Sequence, residues 1–448
     1  MANSHSGTGP EGHPWTLLTM AGGLLLAIAI FGINSVNTVL IITLEVIFVV
    51  FFARHMIFAV SAMRTANTDL SLAPAVPTYT PPISVIVACK NEESVIDSLV
   101  SSLLNFEYPK DRLQVIIVND GSDDATEEKL DVWAASTPSL TVLHRRPGAG
   151  GGKSGALNDA LPLITGEVVV VFDADHQPRR DVLWRLARHF EDPGVGAVQG
   201  RCEIINPDDT PLSRLVAIDY LAGYLVNEYG RQSIFRLPAY GGANCAVRAS
   251  SLRALGGWNP DTVTEDTDLT LKLVLSGQRV RYDVTAVDAE EGVISLDRYW
   301  RQRYRWSRGH QQVWRDYRGQ VWRSDRLTVA EKLETIMFLL VFHMPVFSFL
   351  GLVLLIPWLA GLTHPTDAIH AYVLWTLLFL GPLMELGAGL LLGRAPRRWV
   401  FSLIFFLPLF FVSVALCTKS WIDGMLGRPY AWVKTSRSQD PSPQGVIP

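Results

Sequence analysis

The sequence predicts an α/β domain with a mainly parallel sheet, inserted between N-terminal and C-terminal transmembrane helices. First, 48% of the 448 residues are hydrophobic while 18% are charged, a balance that indicates membrane spans joined to one soluble domain. Second, several long apolar runs leave one central stretch between them. Third, short β-branched runs alternate with helical segments in that stretch, which is typical of a parallel sheet covered on both faces.

The apolar runs are close in length to the roughly 20 residues that cross a bilayer as a helix. They cover residues 15–33, 38–60, 335–362, 371–393 and 399–417. No basic segment precedes the first run, and no clear cleavage site follows it. Because the second run comes directly afterwards, we expect a retained anchor rather than a signal peptide.

Lys and Arg are enriched in loops that stay in the cytoplasm, so their positions orient the runs. The loops at 33–37 and 362–370 contain neither residue, whereas basic residues lie at or beyond the ends of the second, fourth and fifth runs. We therefore expect a multi-pass protein of the inner (plasma) membrane, with its central domain in the cytoplasm.

The fifth run, 399–417, has basic residues at both ends and Pro408 near its middle, where a helix can bend. We predict that the other four runs cross the membrane and that this one lies in the inner interface or dips into it as a re-entrant helix. A fifth ordinary span with an external tail is the alternative.

Three ionisable residues, Glu45, His343 and Glu385, lie within apolar runs. An ionisable group at membrane depth faces a partner or a wet cavity, because burial of an unpaired charge is costly. Pairing between helices is the simpler interpretation, and lining a polar conduit is the alternative.

Charge and cysteine content argue against two classes of protein. A net charge of −4 gives no basis for nucleic-acid binding, which needs a basic surface. The four cysteines are scattered and form no CxxC pair. We therefore expect free thiols in a reducing compartment rather than a zinc site or disulfides.

Polar side chains follow three predicted strands, at 83–89, 113–120 and 167–175. In chain order the strands end in Lys90-Asn91-Glu92, Asp120-Gly121-Ser122-Asp123 and Asp173-Ala174-Asp175. Ligands of open parallel sheets bind beyond the carboxyl ends of the strands. Asp173 and Asp175 can hold Mg²⁺ or Mn²⁺ while substrate phosphates take the remaining positions. The sequence therefore predicts a metal site at this edge of the sheet.

The segment RPGAGGGKSG at 146–155 is similar to a phosphate-binding P-loop. Gly152-Lys153-Ser154 fit the pattern GxxxxGK[ST], but Pro147 stands at its first glycine and has no N–H to offer a phosphate. We interpret the segment as a glycine-rich turn whose Lys153 reaches an anionic ligand. A merely flexible loop is one alternative, and a transport or binding protein powered by ATP is the alternative from another class.

Thr264-Glu265-Asp266 begins a segment of helical periodicity, with Thr264 as the expected N-cap. A carboxylate at this position can act as a general base that takes a proton from an attacking hydroxyl. The alternative is that the two acids only favour the helix dipole.

Gln302, Arg305 and Trp306 share one face of a predicted helix because they stand at i, i+3 and i+4. The guanidinium of Arg305 offers a planar fork for a diphosphate, and Trp306 offers an apolar platform for a sugar ring. The other Arg and Trp residues of this stretch suit an amphipathic helix that lies on the inner leaflet.

These motifs, in this order along one membrane-anchored chain, resemble the membrane-embedded family 2 glycosyltransferases. That family includes cellulose, chitin, hyaluronan, mannan and poly-N-acetylglucosamine synthases. The resemblance implies a GT-A-like (Rossmann-like) domain and a role for each motif. The implied substrate-binding residues are Asp120, Lys153, Asp173, Gln302, Arg305 and Trp306; the metal ligands are Asp173 and Asp175; the catalytic residues are Glu265 and Asp266, with Asp266 as the base.

The C-terminal segment Trp432-Val433-Lys434-Thr435-Ser436-Arg437 is similar to the gating loop of these synthases. The resemblance implies that Lys434, Thr435 and Arg437 contact the donor from the cytoplasmic side. Two segments depart from the family pattern. The first strand ends in ACKNEE where relatives often show AYNE, and Gly241–Cys245 stands where cellulose synthases show a GTG-type turn, which argues against assuming cellulose.

The resemblance implies an inverting, metal-dependent hexosyl- or N-acetylhexosaminyltransferase with Mg²⁺ or Mn²⁺ as cofactor and a UDP-sugar favoured over a GDP-sugar as donor. We expect transfer to a growing polysaccharide chain, processive and with translocation through the protein's own helices. The alternative is non-processive transfer to a membrane lipid, as in ceramide glucosyltransferases, which share a related motif. The expected partners are the donor, a polysaccharide or glycolipid acceptor and the bilayer, with no nucleic acid.

The expected domain organisation follows from these assignments. In chain order it consists of an N-terminal tail at 1–14, two transmembrane helices within 15–62, the cytoplasmic catalytic domain at 80–325 ending in the amphipathic interface helix, two transmembrane helices within 335–393, the interfacial or re-entrant helix at 394–425 and the gating-loop-like tail at 426–448.

Overall fold

A seven-stranded sheet is the centre of the structure, a computed structural model that describes residues 14–71, 79–363 and 366–428. The strands are β1 Ile83–Cys89, β2 Leu113–Asn119, β3 Leu140–His144, β4 Val168–Asp173, β5 Val195–Ile204, β6 Cys245–Arg248 and β7 Arg279–Glu290. Their spatial order is β3-β2-β1-β4-β6-β5-β7, and β6 runs antiparallel to both of its neighbours. The other pairings are parallel, so the mainly parallel sheet predicted from the sequence is confirmed.

Helices cover the sheet and form the apolar part of the molecule. In chain order they are α1 Pro14–Phe31, α2 Ile33–Ser71, α3 Ile96–Leu104, α4 Thr126–Ser136, α5 Gly152–Asp159, α6 Val182–Ala187, α7 Pro211–Ala222, α8 Ala249–Ala254, α9 Glu265–Leu275, α10 Leu296–Arg323, α11 Val329–Leu340, α12 Met344–Leu359, α13 Thr366–Leu392 and α14 Phe406–Met425. Helices α3, α4 and α6 bury residues against one face of the sheet, and α5, α8, α9 and α10 against the other.

Strand β1 shows why the sheet is buried on both faces. Successive side chains of a strand point to opposite faces, and Val85 and Val87 join one buried cluster while Ile86 joins the other. All three are completely or almost completely buried. A run of β-branched residues without polar alternation therefore specifies a central strand, and its polar continuation after Cys89 lies at the open edge of the sheet.

Helix α7 continues beyond Ala222 into two π-helical turns, Gly223–Glu228 and Arg231–Phe235. Such wider turns are rare and occur frequently at functional sites. Gly230, between the two turns, lies against Phe58 of α2, and a Cβ at this position would stand 2.6 Å from the Phe58 Cγ. Glycine is therefore required for this close approach between the domain and the second helix.

Four helical segments are long and apolar enough to cross a membrane. They are Ile33–Thr65, Val329–Leu359, Tyr372–Leu392 and Arg397–Met425. The second consists of α11, a 3-10 turn at Val341–His343 and α12, and the fourth begins with a 3-10 helix at Arg397–Phe405 before α14. The first predicted span forms the shorter apolar helix Trp15–Phe31. Which of these five helices cross, and whether the last is interfacial, stays a prediction.

The helical bundle is filled by apolar side chains, and ionisable residues inside it contact partners. The buried cluster between α2, α12 and α13 contains Ile41, Leu44, Phe48, Leu354, Leu374 and Leu378. Glu45 accepts a hydrogen bond from His370 at 2.9 Å, and Glu385 contacts His55 of α2 and accepts from Asn227. For these two carboxylates the structure favours pairing between segments, while His343 packs edge-to-face against Trp314.

A buried ionic network joins the helical bundle to the π-helical turns. Arg54 of α2 makes a two-pronged contact with Glu334 of α11, at 2.9 and 2.8 Å, and Arg231 donates to the same carboxylate at 3.1 Å. Arg231 also contacts Glu228 at 3.4 Å. Since the Glu334 side chain is only 1% exposed, this carboxylate is the counterion on which two buried arginines depend.

We expect Glu334→Ala to lower the free energy of unfolding by about 3–5 kcal/mol, because it leaves Arg54 and Arg231 buried without their shared counterion. The measurement is the thermal unfolding midpoint of the purified protein in detergent. Asp325→Ala is the control, since Asp325 forms an exposed pair with Arg326 and should change stability by less than about 1 kcal/mol. Equal midpoints for the two variants would contradict this account of the network.

Candidate active site

A cavity of about 510 Å³ lies at the carboxyl ends of β1, β2 and β4 and extends towards α10 and α11. Its volume is in the range of small-molecule sites. It is lined by all the site residues predicted between positions 120 and 306, namely Asp120, Lys153, Asp173, Asp175, Glu265, Asp266, Gln302, Arg305 and Trp306. The predicted donor contacts Lys434, Thr435 and Arg437 lie outside the described residues.

Lys153 connects three segments of the cavity. Its Nζ forms an ion pair with Asp173, lies 3.8 Å from the Glu265 Oε1 and donates to the Gly242 carbonyl at 2.9 Å. Burial alone would lower the pKa of Lys153, but the neighbouring carboxylates of Asp173 and Glu265 raise it above its usual value. The side chain is therefore a permanent cation at the centre of an acidic site.

The glycine-rich segment before α5 brings Lys153 into the cavity. Gly151 occupies the N-cap position with φ +73° and Gly152 begins the helix with φ +51°. Arg145 stabilises the segment, since it donates to the Gly150 carbonyl at 2.9 Å and pairs with Asp159 at 2.7 Å. Arg145 also pairs with Asp120. Arg145 therefore orients both Asp120, the predicted nucleotide-binding carboxylate, and the glycine-rich loop.

The acidic pair Asp173 and Asp175 follows β4 directly. Burial opposes ionisation of Asp173, but Lys153 and His176 hold its pKa below the usual value. About 40% of the Asp173 side chain is exposed, so the carboxylate faces the cavity. Two ionised or ionisable carboxylates one residue apart provide the oxygen donors that Mg²⁺ and Mn²⁺ prefer.

Sequence reasoning missed a buried cluster behind these two aspartates. His176 contacts Asp288 through Nδ1, lies 2.9 Å from Glu290 through Nε2 and is 3.9 Å from Asp173. Burial would lower its pKa, but the contact with Asp288 raises it well above the usual value. The sequence does contain a signal, because His176 directly follows Asp175 and the end of β7 contains Asp288 and Glu290. Their proximity, however, depends on the contact between the segment after β4 and β7.

Cys202 completes a group with His176 and Glu290 whose ligand atoms lie within 4.8 Å of one another. All four cysteines are buried and free, as expected. Burial raises the pKa of Cys202 well above its usual value, and nearby Glu290 adds to this. Metals bind the thiolate form of cysteine. The protonated Cys202 thiol is therefore a poorer ligand for Mg²⁺ or Mn²⁺ than the carboxylates of Asp173 and Asp175.

Asp266 lies in the first turn of α9, held by the residue that follows it. Its Oδ1 accepts from the Thr267 N–H at 2.6 Å and from the Thr267 hydroxyl at 3.2 Å. Its Oδ2 would be 3.0 Å from a Cβ at Gly242, where φ is +77°. Burial raises the pKa of Asp266, and this effect outweighs the lowering caused by the Thr267 amide and by Lys153. Thr264 occupies the N-cap position of α9, as predicted, but its side chain makes no capping hydrogen bond.

Glu265 precedes Asp266 in the first turn of α9 and lines the same cavity. Burial raises the pKa of Glu265, Lys153 opposes this change, and repulsion from Asp266 adds to it. A buried carboxylate beside a half-buried one, both with raised pKa values, is typical of catalytic sites, where groups bind and release protons.

His310 is a second residue that sequence reasoning missed. Its Nε2 lies 3.4 Å from the Thr267 hydroxyl, which also contacts Asp266. Burial lowers the pKa of His310 to about 3, and the neutral ring packs against Phe338 and Phe342. No pattern in the sequence distinguishes this histidine from the basic residues around it.

Gln302, Arg305 and Trp306 line the cavity from α10. The Gln302 Oε1 and Arg305 Nε atoms are buried without a hydrogen-bond partner among the described residues. Arg303 instead pairs with Asp219 at 2.7 Å and stacks over Trp306, 4.3 Å from the ring centroid. Buried polar groups are normally satisfied, so the two orphaned atoms mark a place where a polar ligand fits.

The sequence profile of the family described as "Glycosyltransferase like family 2" matches residues 81–309. The matched residues include the sheet, the cavity-lining motifs and the first half of α10.

Two curated relatives differ in the acceptors that their names state. A β-monoglucosyldiacylglycerol synthase of Synechocystis sp. is 38% identical over 266 residues, which cover 58% of this chain and 54% of that protein. Glucomannan 4-β-mannosyltransferase 7 of Arabidopsis thaliana is 26% identical over 383 residues, which cover 82% of this chain and 67% of that protein. The chain spans about half the length of the first curated relatives it matches.

A solved structure supports the fold. The mannosyltransferase of Pyrobaculum calidifontis in complex with GDP-Man and Mn²⁺ superposes with a TM-score of 0.57 and 23% sequence identity. The superposition covers 86% of this chain and 100% of that chain. Together with the family match, it confirms the predicted GT-A-like fold.

Proposed function

The chain belongs to the glycosyltransferase-like family 2, and on that basis we propose that it is an inverting enzyme that transfers a sugar from a nucleotide-diphosphate sugar to an acceptor at the membrane. The observation that carries the proposal is the single cavity in which Asp173, Asp175, Asp266 and Arg305 meet. These residues come from β4, α9 and α10, which are far apart in the sequence. The proposal covers hexose and N-acetylhexosamine donors alike.

The donor end of the cavity is the part formed by the ends of β1, β2 and β4. We assign Asp120 to the nucleoside, with UDP favoured over GDP by its frequency in the family. Lys153 and Arg305 supply positive charge for the diphosphate, and the orphaned Gln302 Oε1 offers an acceptor to a sugar hydroxyl. Trp306 forms the apolar platform beneath the ring. This assignment leaves the carboxylate of Asp266 on the side from which an acceptor arrives.

Asp173 and Asp175 fit a resident Mg²⁺ or Mn²⁺, because both offer carboxylate oxygens at the strand end and Asp173 faces the cavity. When bound, the ion offsets the diphosphate charge and stabilises the leaving group. Lys153 contacts one oxygen of Asp173, so this lysine would partly exchange that contact for a phosphate oxygen. His176 contacts Asp173 and is itself held by Glu290.

Asp266 acts as the general base in this proposal. It takes the proton from the acceptor hydroxyl as the oxygen attacks the anomeric carbon, and the bond between that carbon and the diphosphate oxygen breaks on the opposite face. The configuration therefore inverts in a single displacement. Its raised pKa brings Asp266 closer to the operating pH, which favours proton transfer.

Two acceptor classes have support from relatives. Transfer to a growing polysaccharide is supported by alignment with the glucomannan mannosyltransferase over 82% of this chain. Transfer to a membrane lipid is supported by the higher identity, 38%, to the monoglucosyldiacylglycerol synthase. In both cases we propose that the domain faces the cytoplasm at the inner membrane and that Lys434, Thr435 and Arg437 close over the donor.

We expect Asp266→Asn to lower kcat by roughly 10²–10⁴-fold, the range associated with loss of a general base. The affinity for the nucleoside diphosphate should change little, because Asp266 faces the acceptor. A donor screen that follows nucleoside diphosphate release, with Mg²⁺ and Mn²⁺ compared, gives the activity, and calorimetry gives the affinity.

Asp261→Asn is the matched control, since Asp261 is an exposed aspartate just before α9 that does not line the cavity. It should retain wild-type turnover. Turnover by Asp266→Asn at the level of this control would contradict the assignment of the base.

We expect Thr267→Val to move the acidic limb of the pH–kcat profile upwards by roughly 0.5–1 unit, because it removes the hydroxyl that stabilises ionised Asp266. The base must be deprotonated to work, so activity is lost as the pH falls through its pKa. A higher pKa therefore means that activity is lost at a higher pH. Thr267→Ser keeps the hydroxyl and should keep the wild-type limb. An unchanged limb in Thr267→Val would show that Asp266 does not control it.

A further inference from the structure

The active-site cavity has a second end beyond the catalytic carboxylates, which we call the acceptor end. Its lining is mainly aromatic and aliphatic and includes Tyr220, Gly223, Tyr224, Phe338, Val341 and Phe342. These residues belong to α7, the first π-helical turn, α11 and the 3-10 turn after it. The acceptor end therefore differs in chemistry from the charged donor end.

The carboxylates at the acceptor end are already engaged by the protein. Asp219 pairs with Arg303 at 2.7 Å. Glu228 contacts Arg231 and accepts from the Ala239 N–H at 2.7 Å. Their charges are compensated, so the acceptor end presents mainly apolar surface to whatever enters it.

Val341 is the most exposed of the residues named at this end of the cavity. Its side chain lines the cavity and is also 39% exposed. Val341 lies inside the apolar segment Val329–Leu359, which is long enough to cross a membrane. With this segment in the membrane, as the predicted topology requires, an opening at this residue faces the bilayer rather than bulk water, because the 3-10 turn continues directly into α12.

Gly223 shows that the passage has free space. It lines the cavity, and a Cβ built at this position has no atom within 4 Å. Its φ is −57°, an ordinary helical value, so a larger residue can be accommodated by the backbone and would project into the passage. By contrast, the interior of the bundle is filled by apolar residues of α2, α12 and α13, which favours a lateral route for the acceptor over a route along the bundle axis.

We infer that Val341 and Gly223 border a lateral opening through which a lipid alcohol of the inner leaflet presents its hydroxyl to Asp266. The inference rests on the proposed glycosyltransferase function and names its acceptor class. The acyl chains stay in the bilayer beside α12, while the headgroup passes Phe338 and Phe342. The hydroxyl proton goes to Asp266, the new bond joins the lipid oxygen to the anomeric carbon, and the nucleoside diphosphate leaves.

The test measures how the sugar is partitioned between lipid and water. The full chain is placed in nanodiscs of phosphatidylcholine and phosphatidylglycerol that contain dioleoylglycerol or ceramide, with radiolabelled UDP-glucose or GDP-mannose as donor. Glycolipid formed is measured against the free sugar that hydrolysis of the donor releases into water, because every transfer to lipid itself releases one nucleoside diphosphate. We expect Val341→Trp and Gly223→Leu to lower the ratio of glycolipid to free sugar about tenfold, since each fills the passage and leaves hydrolysis at the donor end unchanged.

Two matched controls separate this effect from general damage. Val353 is a valine of α12 with the same 39% exposure, and it does not line the cavity. Gly319 of α10 also has no atom within 4 Å of a built Cβ and lies outside the cavity. Val353→Trp and Gly319→Leu should keep the wild-type ratio. Gly223→Ala, which adds one methyl group, should give a smaller reduction than Gly223→Leu and guards against misfolding.

Three outcomes decide the matter. An unchanged ratio in both Val341→Trp and Gly223→Leu overturns the lateral opening. A wild-type protein that releases diphosphate and extends a soluble oligosaccharide, but forms no glycolipid, overturns the lipid acceptor while leaving the proposed function intact. A wild-type protein that neither binds nor turns over any nucleotide sugar overturns the proposed function itself.

Discussion

The ion pair between Lys153 and Asp173, extended to Glu265, is the interaction on which the site depends. It holds the glycine-rich loop, the end of β4 and the start of α9 against one another, although these segments are distant in the sequence. The carboxylates that line the cavity would repel each other without a cation among them. Lys153 therefore makes the acidic cavity compatible with a folded state, and a divalent ion held by Asp173 and Asp175 would add positive charge at the same place.

The long apolar helical segments take part in the same arrangement. Arg54 and Arg231 share Glu334, and Arg231 reaches Glu228, whose other oxygen accepts from Ala239 in the loop before Gly242. This chain of contacts links α2 and α11 to the loop that touches Lys153. The position of the catalytic domain relative to the bundle is thus specified by buried, directional contacts as well as by apolar packing. An acceptor that enters beside α11 would meet a site whose geometry the bundle already supports.

Much of the fold could be predicted from local sequence, because β-branched runs and their polar ends mark central strands of a parallel sheet. The same reasoning found Asp173, Asp266 and Arg305, whose motifs are short and contiguous. It could not find His176 with Asp288, since their contact depends on where the segment after β4 meets β7, to which the Gln177 and Arg179 amides donate hydrogen bonds. The π-helical turns leave no periodic signal, and His310 owes its role to packing. These features arise from tertiary contacts, which residue spacing alone does not encode.

The central claim is that the carboxylates at the end of β4 bind a divalent ion that carries the diphosphate. Calorimetric titration of UDP and GDP into the purified protein, with Mn²⁺ and then with EDTA, tests it most directly. The account predicts that the affinity for the preferred nucleotide falls at least about tenfold, or 1.4 kcal/mol, when the ion is removed. The same affinity in Mn²⁺ and in EDTA would contradict it.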